Sequence, residues 1–231
     1  MLLGILIPAA IIGVLALVAA LFFQGRAAGG LDTSPRAFLR LYLYLGSLAA
    51  ILVLVYGLSL TGSGLIATAN AEFAYGRPPE PARLAAPPGA PTPPPEVVEK
   101  ERQRPGAQEQ NERRRQENLL QGITTAIAGA FFWAVHWWGR RQLETREERG
   151  GLLRRGYYLI GTGIFGVASI VLLPLAVYRV LRYFLIPPST FEFRGDVGET
   201  IASAAVVVPV WLIYLWLVLR EFRTRDAAPI A

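Results

Sequence analysis

The chain has no cysteine and only one histidine, His136, among its 231 residues. Without cysteine it can form no disulfide, thiolate metal site or iron–sulfur cluster, and it has no cysteine nucleophile. A serine–histidine–acid triad would have to use His136, and the sequence contains no G-x-S-x-G motif to supply the serine. The motifs H-E-x-x-H and G-x-x-x-x-G-K-[ST] are also missing. These absences predict a protein that is not an enzyme and that holds no metal or other cofactor.

Charge is also scarce: 17% of the residues are charged and 53% are hydrophobic, and the mean hydropathy is +0.37. A helix that crosses the hydrocarbon core of a bilayer needs about 20 consecutive apolar residues. Five stretches are long enough: residues 2–23, 41–67, 119–139, 156–178 and 200–219. We therefore predict an all-α integral membrane protein with five transmembrane helices.

None of the five stretches contains Asp, Glu or Lys. Ionisable groups inside a span are costly and mark ion pathways, so their absence disfavours proton or sodium coupling through a buried carboxylate. A path lined by Ser, Thr and backbone near Pro174 or Pro209 is still open to a small transporter or channel-like protein.

The first apolar stretch, residues 2–23, is expected to stay in the protein as a spanning helix. It has no positively charged residues before its apolar run, and that run exceeds the 7–15 residues or so of a signal peptide.

The arginines beside the spans predict the orientation through the positive-inside rule. They lie after the first span, between the third and fourth spans, and in the C-terminal tail: Arg26, Arg36, Arg40, Arg140, Arg141, Arg146, Arg149, Arg154, Arg155, Arg220, Arg223 and Arg225. All three regions fall on one side of a five-span protein. We therefore predict a multi-pass protein of the cell inner membrane with its N-terminus outside and its C-terminus in the cytoplasm. Orientation and anionic headgroups explain the net charge of +6, so no nucleic-acid partner is expected.

Residues 70–117 separate the second and third spans and have two parts. The first part is proline-rich, which is typical of extended or disordered chain, and the second is charged and favours a helix. Arg113, Arg114 and Arg115 in this segment lie on the predicted outer side, against the positive-inside rule. Glutamates flank them and the segment is long, so the other arginines outweigh them.

Spans two and three resemble spans four and five, which predicts an internal repeat. Arg40 and Tyr44 align with Arg154 and Tyr158 at one fixed offset. At a second fixed offset, four residues of span three align with four of span five: Ala126 with Ala204, Trp133 with Trp211, His136 with Tyr214, and Trp138 with Trp216. A two-span unit returns to its starting side, so the copies should be parallel repeats, related by an axis along the membrane normal.

The predicted organisation has four parts: an N-terminal helix and short loop, a first helical hairpin, the insertion on the outer side, and a cytoplasmic loop with the second hairpin and tail. Their ranges are 1–32; 33–69 with 118–142; 70–117; and 143–231.

Ser34, Pro35 and Arg36 precede a helix start rich in Arg and Tyr, and the next span ends in W-x-x-H-W before two arginines. This pattern resembles an uncharacterised bacterial membrane domain family of unknown function, built from four spans in two such hairpins. The resemblance covers about residues 33–225 without the proline-rich insertion. It implies a four-helix membrane domain and brings no activity, substrate or catalytic residue.

The stretch FFWAVHWWGRR, residues 131–141, allows two interpretations of His136. His136 could be an axial ligand for haem or a pigment, or the stretch could be the cytoplasmic foot of a helix. Tryptophan, tyrosine and arginine favour the membrane interface, and Tyr214 at the matching place argues against a required ligand. We therefore predict interface anchors at Trp133, Trp137, Trp138, Trp216, Tyr42, Tyr44, Tyr157, Tyr158, Arg140, Arg141, Arg154 and Arg155.

Small residues predict where the helices approach each other closely. In span three they recur at every fourth position, and span four contributes three glycines: Gly122, Ala126, Ala130, Ala134, Gly161, Gly163 and Gly166. The stretch GLSLTGSGL in span two is another small-residue surface rather than a phosphate cradle.

The sequence thus favours a non-catalytic structural or accessory subunit, in contact with the lipid bilayer, that binds other membrane protein subunits through its helix faces. The alternatives are a small transporter and a pigment- or haem-associated subunit that uses His136.

Overall fold

A computed structural model of the protein describes residues 34–76, 106–145, 152–186 and 197–226, together with Gly4. These residues form five helices: α1 (Pro35–Ala69), α2 (Ala71–Tyr75), α3 (Ala107–Leu143), α4 (Leu152–Leu185) and α5 (Val197–Asp226). Four of them, all but the short α2, are long and apolar enough to cross a membrane. The prediction of an all-α chain with long apolar helices is confirmed for this part of the chain. The predicted first span, residues 2–23, lies outside the described residues except for Gly4.

Helix α1 begins before the apolar run because of a capping signal. The Ser34 side chain accepts a hydrogen bond from the backbone N–H of Ala37 at 3.3 Å, and Pro35 occupies the first helical position. Serine caps and a following proline are the favoured residues at a helix start. At the other end, α1 stops at Asn70, whose backbone is extended. The Asn70 side chain accepts a hydrogen bond from the Phe73 N–H at 2.9 Å and so caps the start of α2.

Helix α3 joins charged and apolar residues in one element of 37 residues. Its first three turns carry ion pairs along the helix, such as Arg113 with Glu109 at 3.3 Å and Arg115 with Glu112. Pairs at this spacing stabilise an exposed helix. The apolar run that follows, from Leu119, extends the same helix to Leu143.

The long helices form two antiparallel hairpins, α1 with α3 and α4 with α5. The hairpins meet mainly where α1 packs against α5 and to a smaller extent where α1 packs against α4. The backbones of α3 and α4 approach each other almost nowhere. Helix α1 is therefore central, and α3 lies at the edge of the bundle.

The core lies where the two hairpins meet, and residues of α1, α4 and α5 build it: Tyr44, Leu48, Val55, Tyr157, Ile164, Phe165, Ala168, Leu172, Val207 and Tyr214. Large apolar side chains also cover the outside of the bundle, as shown by Ile170, which is 72% exposed, and Phe131, which is 63% exposed. In a bilayer this outer surface would contact the lipid tails. Lipid tails are as apolar as a leucine side chain, so this exposure has no hydrophobic cost.

Helices α1 and α4 begin at the same end of the bundle at which α3 and α5 finish. Arg36 Nη2 donates a hydrogen bond to the Leu143 carbonyl at 2.9 Å, and Arg154 Nη2 lies 3.9 Å from Glu221 Oε2. We call this the basic end, because it collects Arg36, Arg40, Arg140, Arg141, Arg154, Arg155, Arg220 and Arg223. At the opposite end α2 packs on the bundle, with the Phe73 ring 4.9 Å from that of Tyr183 and Asn118 Nδ2 donating to Tyr75 Oη at 3.2 Å.

Candidate functional site

A polar cavity of about 310 Å³ opens at the basic end, between α1, α3 and α4. Seven of the described residues line it: Tyr44, Trp137, Arg140, Arg141, Glu144, Arg154 and Tyr158. Three of these seven are arginines and one is a glutamate, and Arg154 also lies 3.9 Å from Glu221. A smaller cleft of about 50 Å³ between α4 and α5 is mostly apolar and less suited to binding a polar ligand.

Helical spacing brings the cavity residues together. Arg140 and Arg141 follow Trp137 by three and four residues at the end of α3, so these three share one side of that helix, and Glu144 is its C-cap. Arg154 and Tyr158 stand four residues apart on α4, and Arg154 Nε donates a hydrogen bond to Tyr158 Oη at 3.2 Å. The cavity occupies the gap that remains because α3 and α4 do not pack directly against each other.

Arg140 connects the two hairpins at the cavity wall. Its guanidinium carbon lies 4.7 Å from the centre of the Tyr44 ring in α1 and 5.0 Å from the centre of the Tyr157 ring in α4. These are cation–π distances, and such contacts strengthen when the groups are shielded from water. The Nε atom of Arg140 is buried and has no hydrogen-bond partner among the described residues.

The other charged groups of the lining have neighbours that fix their positions. Tyr44, which is 2% exposed, donates a hydrogen bond from its hydroxyl to Glu144 Oε1 at 2.5 Å. The Arg141 guanidinium lies 3.9 Å from the centre of the Trp137 ring. The Glu144 carboxylate is therefore held by a phenol, at a cavity that Arg140, Arg141 and Arg154 also line.

His136 does not line the cavity but packs against α1. Its Nδ1 atom lies 2.7 Å from the Phe132 carbonyl, and its ring centre is 5.5 Å from that of Tyr42. A Cβ atom added to Gly46 would stand 2.3 Å from both Nε2 and Cδ2 of the imidazole, so the ring lies directly on the glycine backbone. With Nδ1 on a carbonyl and Nε2 against α1, the geometry is that of a packed ring. No group of three or more His, Cys, Asp or Glu that could hold a metal is found among the described residues.

Tyr214, which the alignment pairs with His136, has the corresponding place in the second hairpin. A Cβ atom added to Gly161 of α4 would stand 2.1 Å from Tyr214 Cε1, so this ring also lies on a glycine. Tyr214 is 4% exposed, and its hydroxyl donates a hydrogen bond to Tyr157 Oη at 2.7 Å. The first helix of each hairpin thus uses a glycine to accommodate a ring from the second.

Some predicted interface anchors point outward and others do not. Tyr42, Trp138 and Trp216 are 60%, 61% and 57% exposed, as an interface position requires. Tyr44 and Tyr157 are buried between the hairpins, because their hydroxyls find partners in Glu144 and Tyr214. These two side chains therefore pack inside the bundle and not on its outer surface. Of the remaining predicted anchors, Trp133 is half-buried and stacked on Trp137. Arg155 lies 3.9 Å from Glu221. The cavity is lined by the other five: Trp137, Tyr158, Arg140, Arg141 and Arg154.

The small-residue contact on α3 follows a different course from the predicted one. Gly122 packs against Thr61, and Ala126 against Gly57, so closely that a Cβ on either glycine would be within 2.5 Å of the other helix's backbone nitrogen. Ala130 and Ala134 are exposed, and the buried Gly129 faces α1 instead. A helix has 3.6 residues per turn, so a strict four-residue spacing drifts around it by about 40° per step. A contact stripe needs steps of three as well as four.

The predicted glycines of α4 also divide into two groups. Gly161 packs on Tyr214, and a Cβ on Gly166 would stand 3.1 Å from Trp211 Nε1, whereas Gly163 has open space around it. Sequence reasoning missed Gly46 and Gly129. Gly46 could have been found from the matching positions of His136 and Tyr214 in the two hairpins. Gly129 could have been found by following the 3.6-residue period of the helix instead of a strict four-residue spacing.

A family model described as Domain of unknown function (DUF5671) matches residues 101–195 of the chain. No curated protein and no solved structure matches it. The matched range is narrower than the expected 33–225 and covers α3, α4 and the connection between them. It includes six of the seven residues that line the cavity, all but Tyr44. The chain therefore contains a region similar to an uncharacterised domain, and the basic cavity lies almost entirely within that region.

Proposed function

We propose that this protein is a non-catalytic polytopic membrane protein, an accessory subunit that binds other membrane proteins through an exposed helix face. The observation that carries the proposal is the exposure of α3 outside its contact with α1. Only 17% of the residues in its most apolar stretch are buried within the chain, compared with 28% in α5, 33% in α4 and 50% in α1.

The outer face of α3 has the composition of a helix-packing surface. Ala130 and Ala134 are exposed and lie one turn apart, beside Ile127 and Phe131, which are 65% and 63% exposed. Small residues at this spacing allow a second helix to approach closely in a membrane, where dispersion and packing supply the association energy. Lipid tails contact large apolar side chains equally well, but the close backbone approach that the alanines allow stabilises only a contact with another helix.

The proposal includes a bacterial-type inner membrane location, with residues 2–23 as an additional anchor span. The basic end would face the cytoplasm, because among the described residues it has eight arginines and the opposite end has five: Arg113, Arg114, Arg115, Arg179 and Arg182. The two hairpins would be parallel repeats. Their common direction and the placement of His136 and Tyr214 on Gly46 and Gly161 support this.

A mild-detergent pull-down from native membranes, followed by mass spectrometry, tests the proposal. A partner should accompany the chain in fixed stoichiometry, and Ala130→Trp should abolish its recovery because an indole would keep the partner helix at a distance. Ile170→Trp is the matched control, since Ile170 is 72% exposed on α4, outside the proposed face. Monodisperse single chains, or equal loss with both variants, would overturn the proposal.

The transporter alternative has less support. The polar cavity lies at one end only, and further along α4 and α5 the space between the hairpins is filled by Phe165, Leu172 and Val207, each at most 1% exposed. The pigment alternative would need a ligand position at His136, whose Nε2 packs against α1.

A further inference from the structure

Each hairpin is tightly packed within itself near the basic end. In the first hairpin the His136 ring lies on Gly46, and in the second the Tyr214 ring lies on Gly161. These contacts join α1 to α3 and α4 to α5. Because each ring meets the backbone of the neighbouring helix, the two helices of a hairpin have little room to shift, and we expect each hairpin to move as one body.

The two hairpins are joined closely towards the opposite end of the bundle. A Cβ added to Gly62 of α1 would stand 3.0 Å from the Ala202 Cβ of α5. Helix α2, which directly follows α1, also packs on α5, since a Cβ added to Gly198 would stand 2.7 Å from the Ala74 Cα. Closely packed groups deform little. The opposite end is therefore a firm junction between the hairpins.

The basic end joins the hairpins differently, through side chains beside the cavity. The ring centres of Tyr44 in α1 and Tyr157 in α4 are 5.4 Å apart. The Arg140 guanidinium of α3 lies beside both rings, 4.7 Å from the centre of the first and 5.0 Å from that of the second. Helices α3 and α4 are separated here by the cavity of about 310 Å³, so their backbones do not pack together.

The contact of Arg140 with Tyr157 reaches from the first hairpin to the second. A cation beside an aromatic ring is attracted to the ring face, and the attraction is stronger where water is excluded. Both tyrosines are buried. A firm junction at one end, and side-chain contacts beside a cavity at the other, are the elements of a hinge motion.

We propose that Arg140 is a positioning residue that holds the two hairpins together at the basic end. The hairpins pivot on their junction at the opposite end, and the contact of Arg140 with Tyr157 favours the arrangement in which they are close. Loss of this contact separates α3 from α4 at the basic end and widens the cavity. The inference concerns the chain alone and does not depend on a partner at the outer face of α3.

Distances between pairs of spin labels on the full chain in detergent test the proposal, and labelling is specific because the natural chain has no cysteine. Val135→Cys on α3 with Leu159→Cys on α4 reports the separation at the basic end. Leu120→Cys on α3 with Tyr178→Cys on α4 reports the separation at the opposite end. All four side chains are exposed, so the labels should be tolerated. Pulsed electron–electron double resonance measures each distance.

Arg140→Gln should lengthen the distance at the basic end by about 2–5 Å, the size of helix shifts in switching proteins, and leave the distance at the opposite end unchanged. Arg223→Gln is the matched control, since it removes the same charge at the same end from an exposed position. It should leave both distances unchanged.

Two substitutions of Tyr157 test the contact itself. Tyr157→Leu removes the ring and should lengthen the distance at the basic end as Arg140→Gln does, whereas Tyr157→Phe keeps the ring and should retain the original distance. The double variant of Arg140→Gln and Tyr157→Leu should show no more lengthening than either single variant, because both remove the same contact.

An unchanged distance at the basic end in Arg140→Gln would overturn the proposal, as would an equal change in Arg223→Gln. Lengthening at both ends in Arg140→Gln would also overturn it, because it would show a general loss of packing and no pivot. If Tyr157→Phe lengthened the distance as much as Tyr157→Leu, the Tyr157 hydroxyl and not the contact with Arg140 would be responsible.

Discussion

Tyr214 lies with its ring directly on Gly161, so close that a Cβ on the glycine would stand 2.1 Å from Tyr214 Cε1. The ring cannot move aside easily, because Phe165 and Tyr157 contact it at ring-centre distances of 5.6 and 5.7 Å. The glycine is therefore part of how α4 and α5 pack together.

Gly161→Ala should destabilise the protein by about 1–3 kcal/mol, the usual cost of overpacking. Gly163→Ala on the same helix, where a Cβ meets nothing within 4 Å, is the control and should be neutral or stabilising by up to about 1 kcal/mol. Thermal or denaturant unfolding in detergent measures both. Equal stability of the two variants would contradict the packing of Tyr214 on Gly161.

The contact of α1 with α3 depends on a pair of glycines that face each other's helix. A Cβ on Gly57 would be 2.3 Å from the Ala126 nitrogen, and a Cβ on Gly122 would be 2.5 Å from the Thr61 nitrogen. Because these neighbours are backbone atoms, Gly57→Ala or Gly122→Ala should force the helices apart and cost about 1–3 kcal/mol or more. A cysteine pair placed across the two helices should then form disulfides more slowly than in the unsubstituted background.

Ala134→Leu is the matched control for that pair, since Ala134 is exposed on α3. It should leave both the stability and the disulfide rate nearly unchanged. A loss as large as that of Gly122→Ala would mean that the contact stripe follows Ala134 after all.

Replacing His136 separates packing from ligand binding. His136→Ala removes the ring from Gly46 and should cost about 0.5–3 kcal/mol, the common range for a point substitution, without changing the visible absorbance of the purified protein. His136→Phe restores a ring without the imidazole nitrogens and should recover part of the stability. A visible band lost in both variants would restore the haem or pigment interpretation.

The orientation can be tested directly because the natural chain has no cysteine. In bacterial cells a membrane-impermeant maleimide should label Glu109→Cys on the N-terminal part of α3 and should label Arg223→Cys on α5 only after permeabilisation. Both positions are exposed, so accessibility to the reagent depends on the side of the membrane. The reverse pattern would refute the predicted cytoplasmic location of the basic end.

The sequence was sufficient to predict the helices, because long apolar runs without acidic residues have few alternatives to spanning helices. The helices extend beyond the apolar runs. Helix α3 begins at Ala107, within the charged segment that was expected to favour a helix, since charged residues paired at helical spacing, such as Glu109 with Arg113, continue the helix outside the apolar run.

The cavity was harder to predict, although its residue types were recognised. Arg140, Arg141 and Arg154 were expected to anchor the helices at the interface. Their convergence depends on which sides of α3 and α4 face each other, and hydropathy says nothing about that. Tyr44 shows the same limit, because an interfacial and a buried tyrosine have the same sequence neighbours until the partner Glu144, 100 positions away, is placed.

If a true two-fold axis related the two hairpins, α1 would pack against α5 as closely as α4 packs against α3. In this protein only α1 and α5 pack closely, and α3 and α4 are separated by the cavity, which their side chains line. Close helix packing is therefore found on the α1–α5 side, and the cavity lies on the α3–α4 side. Substitutions along the α3–α4 side can change what the cavity accepts while the packed side keeps the bundle folded, so this region can diverge between related proteins without the usual cost in stability.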